Sequence, residues 1–128
     1  MNKTVIKTDK APAALGPYSA AIQTESMVFT SGQVGIDPST GEFAIGGIGA
    51  QTRQVLTNLK HVLEAGGSDL DNVIKTTVFL QDMGDFSEMN AVYSEFFSNN
   101  PPARSTVAVA GLPKGALVEI ESTALRNK

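Results

Sequence analysis

The 128-residue chain carries a net charge of −3, with 41% hydrophobic and 18% charged residues, one histidine and no cysteine. That length and balance fit one globular domain spanning residues 1–128 and exclude intrinsic disorder. They also exclude disulfides, thiolate nucleophiles and cysteine-rich metal sites, and they leave no basic surface for nucleic acid or anionic lipid. No apolar run is long enough to span a bilayer, and the lysines among the first ten residues precede no apolar stretch, so neither a signal peptide nor an anchor is expected and the predicted location is the cytoplasm.

Along the chain, Thr4–Lys7, Ser19–Thr24 and Met27–Ser31 read as short strands, the last two joined tightly at Glu25-Ser26. Asp37-Pro38-Ser39-Thr40-Gly41 is a turn by composition. From Ile48 to Ala65, apolar residues recur at helical spacing and Gly66-Gly67 supplies the stop. The helix entrance, Gly46-Gly47-Ile48-Gly49, lacks the spacing and lysine of a phosphate loop and predicts only a weakly capped start. His61 falls off the apolar stripe of this helix and is expected on its solvated face. Val73–Leu80 (VIKTTVFL) is β-branched and apolar on both faces, the pattern of a central strand covered on two sides.

Asp85 and Glu88 have capping-box spacing ahead of a second apolar helical stripe, Phe86, Met89, Val92, Tyr93, Phe96 and Phe97, which ends at Asn99-Asn100-Pro101-Pro102. Two final strands, Ser105–Val109 and Leu117–Ala124, flank a loop containing Gly111, Pro113 and Gly115. The predicted fold class is α/β (α+β), a sheet with both helices on one face. The other apolar face then needs a cover, and an oligomer packing sheet against sheet would provide it.

Two side chains stand out for chemistry. Alternation in the last strand puts Glu119 and Glu121 on one face with Leu117 and puts Val118, Ile120 and Ala124 on the other. Arg104 follows Pro101-Pro102-Ala103, so the prolines fix its position, and a guanidinium there can grip a carboxylate with two parallel hydrogen bonds. If the last two strands close a simple hairpin, Glu119 lies opposite Val107, roughly 10 Å along from Arg104. That gap suits a small organic acid, or a site completed by another subunit. Gly16-Pro17-Tyr18-Ser19 and Thr30-Ser31-Gly32-Gln33 are a turn and a broken β-run, readable as a plain hairpin turn and a bulge or as ligand-facing backbone.

Together, GPYSAA (Gly16 to Ala21), TSGQ (Thr30 to Gln33), KTTVFL (Lys75 to Leu80), Asn90, PPARSTV (Pro101 to Val107) and LPKGALVEIE (Leu112 to Glu121) span nearly the whole chain. In this order and spacing they closely resemble the RidA branch of the Rid family of reactive imine deaminases. The resemblance implies a chorismate-mutase-like mixed sheet with two helices on one face, assembled as a homotrimer whose sites lie at subunit interfaces. It implies hydrolysis of 2-iminobutanoate and 2-iminopropanoate, products of pyridoxal-phosphate-dependent dehydratases, to 2-oxo acids and ammonia with no cofactor and no metal. Carried over by position, Arg104 binds the substrate carboxylate, Glu119 handles water and protons, Tyr18 assists them, and Ser31, Gly32, Asn90 and Thr106 lie near the ligand. Thr106 stands where many relatives have cysteine, so thiol-dependent reactivity or regulation does not carry over, while a backbone N–H remains. The glycine-rich helix entrance is a second departure. The same residues also fit two rival readings, a non-catalytic trimer that binds 2-oxo acids and a ribonuclease.

Overall fold

The computed structural model describes residues 2–128. Its strands are β1 (Thr4–Ile6), β2 (Ala21–Gln23), β3 (Met27–Thr30), β4 (Gln33–Val34), β5 (Ile36–Asp37), β6 (Glu42–Phe43), β7 (Val73–Leu80), β8 (Ala103–Ala108) and β9 (Val118–Leu125). Two helices, α1 (Gly47–Ala65) and α2 (Phe86–Phe96), separate them. The main sheet runs β1-β2-β3-β9-β7-β8, with β4 also on β9 and β5-β6 a separate hairpin across the Asp37–Gly41 turn.

The apolar content of β7 places it. Val78 and Leu80 are fully buried toward the helices, and the strand pairs on both sides, antiparallel to β9 and parallel to β8. The parallel pairing needs a crossover, which α2 supplies. In α1 the buried stripe includes Val55, Leu56, Leu59, Val62 and Leu63, which share one core with Val78, Leu80, Val118, Ile120, Met89 and Tyr93. Withdrawing each such leucine from water contributes about 2 kcal/mol. Both helices therefore cover the face carrying Thr76, Val78 and Leu80, which gives the expected mixed sheet with its helices on one side.

The opposite face is open. In register across it stand Val5, Ile22, Phe29 and Thr123 at one end, with Leu125 beside them opposite Met27, and Phe79, Glu119 and Val107 at the other. Val5, Phe29, Val107 and Leu125 are each more than 40% exposed there. No helix among the described residues is long and apolar enough to cross a membrane.

The structure corrects two expectations. The hairpin between the last two strands does not form, because β7 lies between β8 and β9. A connection of about the right length was available, but the central position of a strand apolar on both faces outweighs chain proximity. The capping box is also absent. Asp85 makes no side-chain cap bond, and the preceding 3-10 turn is capped by Asp82, whose carboxylate accepts from the Gly84 N–H at 2.7 Å. His61 lies on the outer side of α1 as expected, and there its Nδ1 stands 3.0 Å from the Lys10 carbonyl, which ties the N-terminal segment to the helix.

Candidate functional site

Arg104 and Glu119 lie on opposite faces of the sheet. Arg104 is level with Thr76 on β7, and Thr76 with Ser122 on β9, all on the helix-covered face. Glu119 is level with Phe79, and Phe79 with Val107, on the open face. Three residues along and two strands across put the two Cα atoms about 14 Å apart, with their side chains directed away from each other. The expected level of Glu119 with Val107 holds, but β7 intervenes and the sheet separates the two functional groups. One chain thus presents two separate clusters, each a candidate half-site.

The first half-site lies where α2 crosses the edge strand β8. The Arg104 guanidinium sits over two rings, with its central carbon 4.7 Å from the Tyr93 centroid and 5.5 Å from that of Phe86. The Tyr93 hydroxyl is fixed 2.7 Å from Thr76 Oγ1, and burial pushes its pKa up, against the Thr76 hydrogen bond and the Arg104 charge. Arg104 makes no salt bridge; among the described residues the one ion pair is Arg53–Glu95 at 3.0 Å. A guanidinium with no acid beside it keeps its donors available for a carboxylate. Asn90 stands four residues after Phe86 and three before Tyr93, on the same helix face, and is partly exposed. Thr106, two residues from Arg104 on β8, has a buried Oγ1 with no hydrogen-bond partner. Phe86 and Tyr93 are the residues that sequence reasoning assigned only to an apolar stripe. Their spacing around Asn90 held the available signal, but the facing of β8 to α2 depends on the parallel crossover.

The second half-site is built by a bulge on the open face. Phe29 pairs with Thr123 and Gln33 with Ile120, so Thr30, Ser31 and Gly32 oppose only Glu121 and Ser122. The extra residue turns the backbone of Gly32 against the Glu119 carboxylate. A Cβ on Gly32 would stand 2.5 Å from Glu119 Oε2 and 2.8 Å from its Cδ, so only glycine leaves the carboxylate in place. Ser31 fastens this bulge to the tyrosine turn: its N–H donates to the Ala20 carbonyl at 2.9 Å and its hydroxyl to the Ser19 carbonyl at 2.6 Å. Tyr18, in the turn closed by its own N–H on the Gly16 carbonyl at 2.8 Å, is 55% exposed and makes no side-chain hydrogen bond.

Tyr18, Gly32 and Glu119 line one groove of about 650 Å³, with Asp9, Leu15 and Lys114 on its other walls. Burial is the main cause that raises the Glu119 pKa above the ordinary carboxylate value, and the negative charge of Glu121 adds to it. A carboxyl raised in this way is suited to exchange protons nearer neutrality than a solvated one.

The family described as Endoribonuclease L-PSP matches residues 8–126. A RutC family protein of Pyrococcus horikoshii is 52% identical, over 98% of this chain and 99% of its own. The mouse protein named 2-iminobutanoate/2-iminopropanoate deaminase is 48% identical, over 98% of this chain and 93% of its own. The crystal structure of RidA from the Antarctic bacterium Psychrobacter sp. PAMC 21119 superposes with a TM-score of 0.91 at 47% identity, covering 95% of this chain and 98% of that one.

Proposed function

Since the chain belongs to the endoribonuclease L-PSP (Rid) family, in its RidA branch, we propose that it is an imine deaminase, hydrolysing 2-imino acids such as 2-iminobutanoate and 2-iminopropanoate to 2-oxo acids and ammonia. The observation that carries this reading is the pair of complementary half-sites, an acid-free arginine on one face and a desolvated carboxyl in a groove on the other. Each supplies what the other lacks. A homotrimer with sites between subunits would bring Arg104 of one copy to Glu119 of the next and cover the exposed apolar face of the sheet.

In the assembled site Arg104 grips the substrate carboxylate through two N–H donors, with Thr106 and Asn90 beside it. The imine carbon next to that carboxylate is already electrophilic, so holding it beside a positioned water supplies much of the acceleration. Glu119 takes a proton from the water as its oxygen bonds to the imine carbon and returns that proton to the nitrogen, giving a carbinolamine. The carbinolamine nitrogen is then protonated while Glu119 takes the hydroxyl proton, so that one proton passes from oxygen to nitrogen, the C–N bond breaks with its electron pair on nitrogen, and ammonia leaves the 2-oxo acid. Tyr18 hydrogen-bonds the nitrogen or the water at the groove wall, and the backbone at Gly32 keeps the carboxylate aimed. No step calls for a cofactor or metal. Dehydratases that release such imines are the functional neighbours this chemistry implies, and the cytoplasm is the compartment in which the two would meet.

The family description includes an endoribonuclease, but a net charge of −3 gives the chain no general attraction for a polyanion. The test is the rate of imine loss with a pyridoxal-phosphate-dependent dehydratase as generator. The parent protein is expected to accelerate it, and Arg104→Ala and Glu119→Gln are expected to lose that acceleration. Either variant matching the parent contradicts the assignment. Tight binding of 2-oxobutanoate with no faster imine decay would instead identify a non-catalytic binder.

A further inference from the structure

An arginine on an exposed edge strand has many rotamers, and fixing one usually takes an acid partner, which occupies the N–H donors. Arg104 has no such partner, yet it is held over two aromatic faces at 4.7 and 5.5 Å. A ring face attracts the cation through its quadrupole and leaves the in-plane donors untouched. The rings are themselves immobilised. Tyr93 is 5% exposed, its hydroxyl bonds to Thr76, and its ring packs on Phe97 with centroids 4.7 Å apart. Thr76 is also the residue level with Arg104 in the β7–β8 register, so the anchor of the ring and the root of the arginine belong to one rigid pair of strands.

We propose that Phe86 and Tyr93 are positioning residues that aim the Arg104 guanidinium at the substrate carboxylate, with the Thr76–Tyr93 hydrogen bond as their anchor. The aromatic pair substitutes for an ion pair, fixing the arginine without consuming its donors. This inference rests on the reading of Arg104 as the carboxylate ligand. It predicts that loss of either ring weakens binding of the anion while the chemistry on bound substrate changes less.

The measurement is the dissociation constant of 2-oxobutanoate by titration calorimetry, together with KM and kcat in the dehydratase-coupled assay, on the full chain. Phe86→Leu and Tyr93→Leu are expected to weaken binding and raise KM about tenfold with a smaller change in kcat. Tyr93→Phe, which keeps the ring, is expected to recover most of the lost affinity. Phe86 is only partly buried, so Phe86→Leu carries the test even if Tyr93→Leu does not fold. Parent affinity and KM in a folded Phe86→Leu variant, with Arg104→Ala losing binding, would overturn the aromatic positioning alone. Parent affinity in Arg104→Ala would overturn the site reading beneath it.

Discussion

Glu119 meets two opposed demands, since a half-buried carboxyl next to a second acid is costly when ionised and useful when it can take up a proton. Its raised pKa means that the folded protein binds this proton more tightly than the unfolded chain does. The associated stability is therefore full below the ordinary value of 4.5 and is lost as pH rises through the raised value. Glu119→Gln, which cannot ionise, should melt at a higher temperature than the parent at about pH 7, and the gap should close toward about pH 4. Thermal melts of both proteins across that range check the sign; an equal gap at both ends would contradict it. Gly32 is the residue on which the carboxylate depends. Gly32→Ala should lower kcat on the order of a hundredfold by displacing Glu119, with a smaller effect on binding of 2-oxobutanoate, whose carboxylate is assigned to Arg104.

Among the elements, those whose faces follow one strict periodicity were legible in the sequence. Helix α1 and strand β7 lie where their apolar patterns put them, and Gly66-Gly67 ends the helix as expected. Gly67 has φ +79° and its carbonyl accepts the Asn127 N–H at 2.8 Å, which ties the C-terminus to the helix stop. Gly67→Ala should cost about 1 kcal/mol, read from chemical denaturation, because alanine is strained in that conformation. Pairing partners were less legible. The segments around β8 and β9 resemble a hairpin locally, and only the long β-branched run of β7, the pattern of a central strand, signals that it belongs between them. The bulge at Ser31-Gly32 was one of two readings of a broken β-run, while its contact with Glu119 depends on a strand almost ninety residues later. Likewise Arg104 and Glu119 could be picked out by residue type, and their placement on opposite faces was already set by strand parity, because Val107, level with Glu119, is three residues from Arg104; the inserted strand adds only the lateral distance between them.

At the scale of the molecule, the sheet separates the functional groups of a single chain. The edge carrying Arg104 faces the helices, and the groove carrying Glu119 opens on the exposed apolar side. A symmetric ring in which each interface joins the β8 edge of one copy to the open face of the next resolves both features with one contact. The measurement that tests this most directly is subunit complementation. Arg104→Ala and Glu119→Gln chains, each without activity alone, are unfolded together in equal amounts, refolded, and assayed for imine hydrolysis. If sites are shared between chains, an intact Arg104 meets an intact Glu119 at about one quarter of interfaces, and the mixture recovers about that fraction of parent activity. A mixture as inactive as either variant by itself would contradict a site built from two chains.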